Sequence, residues 1–455
     1  MKKIVLLFSF ICFSIFASGQ YFDQEITKTA AFDHFLQQVE SNPAIGADSA
    51  LYLLSHWNNY PQISSTGREY VYFFEDSFYG NVPLRIFIPA SYKNDHKNSL
   101  ILSLHGAVNI SNFGRVSLTI RNEGPKNESD VDPFFDYLSK QNSIIVRPYA
   151  DPEIKFDWVV NRFAKGVTNP DSVTTNLTFA TLNKIINQLK SFLNIDDSKV
   201  FAIGHSDGSD GAFALEVYTP SAFAGFACYN SMLTNIFASN IYLRNMLNRP
   251  CYIIHSDLDD LRPIEQARVI IQELKTFNSP ISYKEYIGYK HFDKHLEKDI
   301  PDGLKFFNKT TRDPYHPDIY WETNDPAYAQ IDWIRITRFD LRKNAAAWQK
   351  DINVKSYNKI KKQFEEYDYY RNAESCAIKG SYKNNEFDLK TSRVNGFEIL
   401  IGQQMIDWNL PVQVIVNGKK VFDKKIEKDK TMLIKNFREN RDRQALWISR
   451  IDVSL

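Results

Sequence analysis

The run Val200-Phe201-Ala202-Ile203-Gly204-His205-Ser206-Asp207-Gly208 decides how this chain is read. Four consecutive apolar residues suit a strand buried on both faces. Beyond the glycines, Ala212-Phe213-Ala214-Leu215 suits a helix. A G-x-S-x-G turn between a strand and a helix presents the serine hydroxyl at an exposed, strained corner, as a nucleophile requires. The glycines flank Ser206 because a side chain at either position would strike neighbouring backbone. The plainer alternative is a Ser-Gly loop that caps a helix.

A serine hydroxyl is a weak nucleophile and needs a base, which in turn needs an orienting acid. Working outward, Cys251-Tyr252-Ile253-Ile254 is another buried-type strand, and it runs into His255-Ser256-Asp257-Leu258-Asp259-Asp260-Leu261-Arg262-Pro263. That segment offers three carboxylates, Asp257, Asp259 and Asp260. The next strand, Ser282 to Tyr286, leads to Gly288-Tyr289-Lys290-His291, and His291 is the candidate base. His295 competes with it and reads as a surface residue of the helix that follows. The order serine, acid, histidine along the chain is the order expected of a nucleophile elbow of this kind. Two backbone N–H groups must face the developing oxyanion. One comes from Asp207, directly after the serine. The other comes from the loop that follows the buried strand Leu100 to Leu104, where Ala107 is the donor and His105 braces the loop. The carboxylate of Asp207 is expected to point away from the oxyanion, toward a hydrogen-bond donor.

On these residues, 67–308 resemble the α/β-hydrolase superfamily. They look most like secreted bacterial esterases of the feruloyl-esterase and polyhydroxybutyrate-depolymerase type, and are similar also to prolyl-oligopeptidase-like peptidase domains. The resemblance implies a mostly parallel sheet flanked by helices. The segment from His255 resembles an H-G-x-x-D pattern, with Ser256 in the glycine's place, and this implies the acid at Asp259, with Asp260 and Asp257 as rivals. It implies a catalytic triad of Ser206, Asp259 and His291, an oxyanion hole from the N–H groups of Ala107 and Asp207, and no cofactor or metal.

The remainder of the chain divides around that unit. Met1 to Gly19 has a short positive start, an apolar stretch and an Ala17-Ser18-Gly19 cleavage site, which reads as a signal peptide. Export to the periplasm or beyond follows, with no membrane span in the mature chain. Residues 20–66 carry helical apolar spacing around Phe32 and Leu51, as a small helical segment. After residue 309, alternating runs such as Ile331 to Ile336 and Val412 to Val416, with an Asn417-Gly418 turn, predict a mainly antiparallel β domain over 309–455. It resembles the appended C-terminal region of some secreted esterases and peptidases. Residues 310–455 hold 26 Lys+Arg against 21 Asp+Glu, whereas the whole chain is at +1. Such a balance predicts no nucleic-acid partner. Cys228, Cys251 and Cys376 read as small buried residues. There is no H-E-x-x-H, Cys-x-x-Cys or P-loop pattern.

The expected function is a secreted serine esterase acting on a small-molecule or polysaccharide-linked ester. The same machinery would serve a serine peptidase, though no long N-terminal propeller precedes it. A third reading is a carbohydrate-binding protein on a hydrolase scaffold, with Trp333, Trp408 or Trp447 stacking on sugars. Trp158 is a candidate wall of the substrate pocket. Oligomeric state is left open.

Overall fold

The computed structural model describes residues 30–107, 133–151, 154–159, 176–230, 241–350, 352, 354–368 and 374–455. The leader expected at 1–19 and most of the loop between residues 107 and 135 lie outside the described residues.

Eight strands form the central sheet: β1 (Arg68–Asp76), β2 (Gly80–Ile88), β3 (Asn98–Leu104), β4 (Ser143–Pro148), β5 (Ile195–His205), β6 (Gly225–Tyr229), β7 (Cys251–Ser256) and β8 (Ile281–Tyr286). Their spatial order is β1-β2-β4-β3-β5-β6-β7-β8. β2 runs antiparallel to both neighbours, and every pair from β4 to β8 is parallel. The apolar runs are continuous because both faces are covered. Leu100, Leu102, Val200 and Ala202 feed the core on one face. Ile101, Phe201 and Ile203 feed the other, as the two-residue strand period requires. Gly80-Asn81, a turn-type pair that the sequence places between the apolar runs Tyr70–Phe74 and Leu84–Ile88, predicts the turn between β1 and β2, but the turn falls at Ser77 to Tyr79, since Gly80 already pairs with Asp76. Asp76 accepts hydrogen bonds from the N–H groups of Phe78 and Tyr79, which shapes that turn.

Seven helices matter to the architecture: α1 (Ala30–Ser41), α2 (Ala47–Ser55), α3 (Thr178–Leu189), α4 (Asp207–Tyr218), α5 (Ile264–Thr276), α6 (His295–Lys309) and α7 (Lys430–Asn440). α3 buries Thr178, Thr181, Leu182, Ile185, Ile186 and Leu189, one face at helical spacing. α4 is buried nearly all round, from Asp207 to Val217.

Downstream of α6 come β9 (Asp318–Thr323), β10 (Gln330–Ile331), β11 (Ile334–Phe339), β12 (Lys355–Asn358), β13 (Gln363–Asp368), β14 (Cys376–Lys383), β15 (Glu386–Ser392), β16 (Val394–Gly402), β17 (Val412–Val416), β18 (Lys419–Lys424) and β19 (Trp447–Ser454). They build a four-stranded sheet, β10-β11-β16-β19, and a five-stranded sheet, β18-β17-β15-β14-β9, around one apolar core. The hairpin β12–β13 stands apart from both. Pairing is antiparallel except between β15 and β17. The turn between β17 and β18 holds Asn417 at φ 52° and Gly418 at φ 80°, the left-handed pair that a tight hairpin turn favours. α7 is a helix within this mainly antiparallel β region; Asp429 caps it by accepting from Met432 N–H at 3.0 Å.

Trp333 and Trp447 are buried in the core of the β region, so neither presents a ring for stacking on a sugar. The N-terminal helices pack on the far end of the chain. Phe32, Leu36, Val39 and Leu54 share a core with Leu433, Ile434 and Phe437 of α7 and Ile448 of β19.

The β region is tied to the central sheet through buried polar contacts. Asn245 exchanges two hydrogen bonds with the backbone of Glu322 in β9, both at 2.8 Å, so an amide side chain stands in for a neighbouring strand. Arg249 pairs with Asp332 at 2.6 Å. Lys190 lies 2.6 Å from Asp197, Arg443 lies 3.2 Å from Asp197, and Arg312 lies 2.7 Å from Asp442, all buried.

Candidate active site

Ser206 sits at the carboxyl end of β5, one residue ahead of α4, with φ 58° and ψ −124°. Positive φ is strained for a side-chain-bearing residue. The two flanking glycines make the corner possible. A Cβ on Gly204 would lie 2.1 Å from the Gly208 carbonyl oxygen, and one on Gly208 would lie 1.9 Å from that of Leu104. The second approach also seats the elbow against the end of β3, where His105 to Ala107 leave the sheet.

Loops at the carboxyl ends of β7 and β8 carry the next two groups. His291 Nδ1 lies 2.7 Å from Asp259 Oδ2. A carboxylate accepts, so the proton sits on Nδ1 and the lone pair falls on Nε2. Nε2 is buried and has no hydrogen-bond partner among the described residues. Ser206 and His291 therefore make no direct hydrogen bond in this state; such bonds are commonly long before substrate binds. The other oxygen of Asp259 accepts from the N–H groups of Leu261 and Arg262, at 3.0 and 2.7 Å. Its two rivals are used differently. Asp257 accepts from Gly288 N–H at 2.6 Å, and Asp260 is exposed.

Several supporting residues were not visible as a pattern. Asn230, just past β6 at φ 52°, donates to Asp259 Oδ2 at 3.0 Å and to Ser256 Oγ at 2.7 Å. Its own amide oxygen lies 3.2 Å from His295 Nε2. His295 is thus buried at the start of α6, not on its surface. His205 Nε2 lies 2.9 Å from the carbonyl oxygen of His291, and His255 Nε2 lies 2.7 Å from that of Arg262. Each of these rings donates to hold a loop. Burial lowers the pKa of all three, that of His295 to about 4, with the His291 ring adding to the effect on His205. Neutral neighbours leave the Asp259 charge to His291. The only sequence signal for Asn230 was its place at the end of a parallel strand, where sites collect.

Ala107 is exposed at the mouth of the β3 loop, and Asp207 opens α4. N–H groups in a helix's first turn lack intrahelical partners. The Asp207 carboxylate is 2.5 Å from Arg262 Nη2, which also lies 3.0 Å from Asp210. His105 accepts from Ala150 N–H at 3.1 Å on Nε2 and, through Nδ1, lies 2.7 Å from the Gly106 oxygen. Trp158 is buried, donates to the His105 oxygen at 3.1 Å and packs over Gly211. It supports the loop from behind instead of walling an open pocket.

Strand order, the serine elbow and the two loops at the carboxyl ends of β7 and β8 together define an α/β-hydrolase fold. No family model and no curated protein matches the sequence. Solved structures of related shape include a thermostable esterase at 19% identity, covering 54% of this chain and 63% of its own, with a TM-score of 0.41. Porphyromonas gingivalis dipeptidyl peptidase 4 is 8% identical over 54% of this chain and 36% of its own, with a TM-score of 0.41. The apo form of Thermogutta terrifontis esterase 2 is 12% identical over 55% of this chain and 96% of its own, with a TM-score of 0.39. This chain thus spans less than two thirds of the first two.

Proposed function

We propose that this protein is a serine hydrolase that cleaves carboxylic esters through an acyl-enzyme. Ser206 attacks the carbonyl carbon while His291 Nε2 takes its proton. Asp259 holds the imidazole in the tautomer that leaves Nε2 free and stabilises the imidazolium that forms. N–H groups of Ala107 and Asp207 receive the oxyanion. His291 then protonates the departing alcohol, and water, activated by the same nitrogen, releases the acid. Export, through the leader at 1–19, belongs to the same proposal.

The observation that carries this reading is the 2.7 Å contact between His291 and Asp259, set beside a serine at φ 58° between two glycines that admit no side chain. The test is labelling with a fluorophosphonate, comparing the wild type with Ser206→Ala. Labelling that depends on Ser206 is expected; equal labelling of both, or of neither, contradicts the reading. A panel of p-nitrophenyl esters beside aminoacyl p-nitroanilides then separates ester from amide cleavage.

A further inference from the structure

Exposed large apolar side chains are normally scattered singly over a surface, and their clustering calls for an occupant. Among the described residues, eleven are exposed, and six of them fall in three short segments: Leu258 and Leu261, Ile287 and Phe292, and Ile360 and Phe364. The first two segments are the loops that hold Asp259 and His291. They are stitched together, since Leu258 N–H donates to the Tyr289 oxygen at 3.0 Å. Phe292 adjoins the base itself: its ring centroid lies 4.7 Å from that of His291 and 4.9 Å from that of His205, yet the side chain is 58% exposed.

The third segment comes from a distant part of the chain. Hairpin β12–β13 belongs to neither sheet of the C-terminal region and docks on α5, the helix that follows Asp259. Gln266, itself buried, donates to the Lys355 oxygen at 3.2 Å and accepts from Tyr357 N–H at 2.7 Å. At the tip, Lys359 Nζ lies 3.5 Å from the Asp260 carbonyl oxygen. Ile360, the next residue, is 88% exposed. The hairpin is thus clamped against α5, and its tip, one residue from Ile360, reaches the loop carrying Asp259.

We propose that this hairpin is a specificity element: Ile360 joins Leu258, Leu261, Ile287 and Phe292 in an apolar entrance that takes the hydrocarbon part of the substrate. The proposal rests on the hydrolase reading above and adds the substrate class, esters with an extended aliphatic chain. The argument for that occupant is position. Phe292 packs against the ring of the base while its side chain stays exposed, so hydrocarbon attached to a bond held at His291 has this ring within reach, and each methylene removed from water there favours the longer chain.

The experiment measures kcat/KM for p-nitrophenyl acetate, butyrate, hexanoate and octanoate, in the wild type, Ile360→Asp and Phe292→Ser. Fluorophosphonate labelling of Ser206 in each full-length protein reports that the site is assembled. The expected result is a preference that rises with chain length in the wild type, and an octanoate-to-acetate ratio about tenfold lower in Ile360→Asp. An unchanged ratio in proteins whose Ser206 still labels overturns the entrance while leaving the hydrolase reading intact. Absence of Ser206 labelling in the wild type removes the hydrolase reading and the entrance with it. Lysines 359, 361 and 362 flank Ile360, so vesicles of phosphatidylglycerol are sedimented with the same proteins. Ile360-dependent sedimentation with an unchanged ester ratio would assign the patch to a lipid surface and overturn its substrate role.

Discussion

Arg262 Nη2 lies 2.5 Å from Oδ1 of Asp207. The residue after the nucleophile would otherwise bring a negative charge close to where an oxyanion forms, and this ion pair offsets it. Arg262 stands three residues after Asp259 and donates its backbone N–H to that carboxylate, so one residue serves two members of the site. Arg262→Met is expected to lower kcat by about 10- to 100-fold, the range of a lost oxyanion contact or less. In the double variant with Asp207→Asn, the loss should be partly restored, because the Asp207 charge is gone. Steady-state kinetics on the four proteins of the cycle measures this coupling. Additive losses would show that Arg262 acts by some other route.

Asn230 donates to the same oxygen of Asp259 that holds His291. Asn230→Asp would set a second carboxylate against it. Two like charges at one buried oxygen repel, and the pair that orients His291 is disturbed. Asn230→Asp is expected to lower kcat/KM by about 100-fold, and Asn230→Ala, which removes the donor without adding a charge, by about tenfold. Steady-state kinetics on the two variants measures the difference. Equal losses would show that the added charge does not reach the pair.

The buried histidines carry a stability consequence. His295 has its pKa lowered from 6.5 to about 4 by burial, and His205 and His255 are shifted in the same direction. In the window between these values the unfolded chain binds protons that the folded chain does not, so stability rises with pH there. Full stability is present above pH 6.5 and is lost progressively as pH falls toward 4. Urea midpoints at pH 7, 5.5 and 4.5 should fall in that order. His295→Gln should start lower at pH 7 but show a shallower decline; an equal slope would show that His295 does not contribute.

Arg443 reaches Asp197, Asn194 and the Trp57 oxygen from 246 or more residues away in sequence. Removing one partner of such a buried pair leaves an uncompensated charge, at a cost of roughly 3–5 kcal/mol. Arg443→Met is expected to lower the urea midpoint accordingly, while a surface change such as Arg450→Met leaves it within experimental error. Deleting residues 309–455 should give insoluble protein, because α1 and α2 lose α7 and β19 as cover. A soluble, labelled truncation would show the β region to be a separable attachment.

Much of the site was legible because its chemistry is written in short local patterns. The elbow needs glycine on both sides of Ser206 within five residues, and the clash distances at Gly204 and Gly208 give the reason. The strands that carry it announce themselves by unbroken apolar runs, and Asn417-Gly418 by the left-handed backbone it must adopt. Other features left no such mark. The Gly80-Asn81 pair looked like a turn, but Asp76 draws the turn back to Ser77 through Tyr79 with its own side chain. His295 reads as a surface residue of its helix, whereas Asn230 and the rings of Tyr286 and Tyr289 cover it.

By itself the sequence determined the mostly parallel sheet, the nucleophile elbow and a strand-rich C-terminal region, since backbone geometry and apolar periodicity act between near neighbours. Only the tertiary structure decided which of Asp257, Asp259 and Asp260 meets His291, because all three sit within four residues and only direction distinguishes them. It also decided that Asn230, His205 and His295 gather around that pair, that the chain's two ends share one core, and that a hairpin from the β region stands over the loop of Asp259. Those contacts join segments tens to hundreds of residues apart. Burial and hydrogen-bond satisfaction select them collectively, and such selection leaves no periodic trace along the chain.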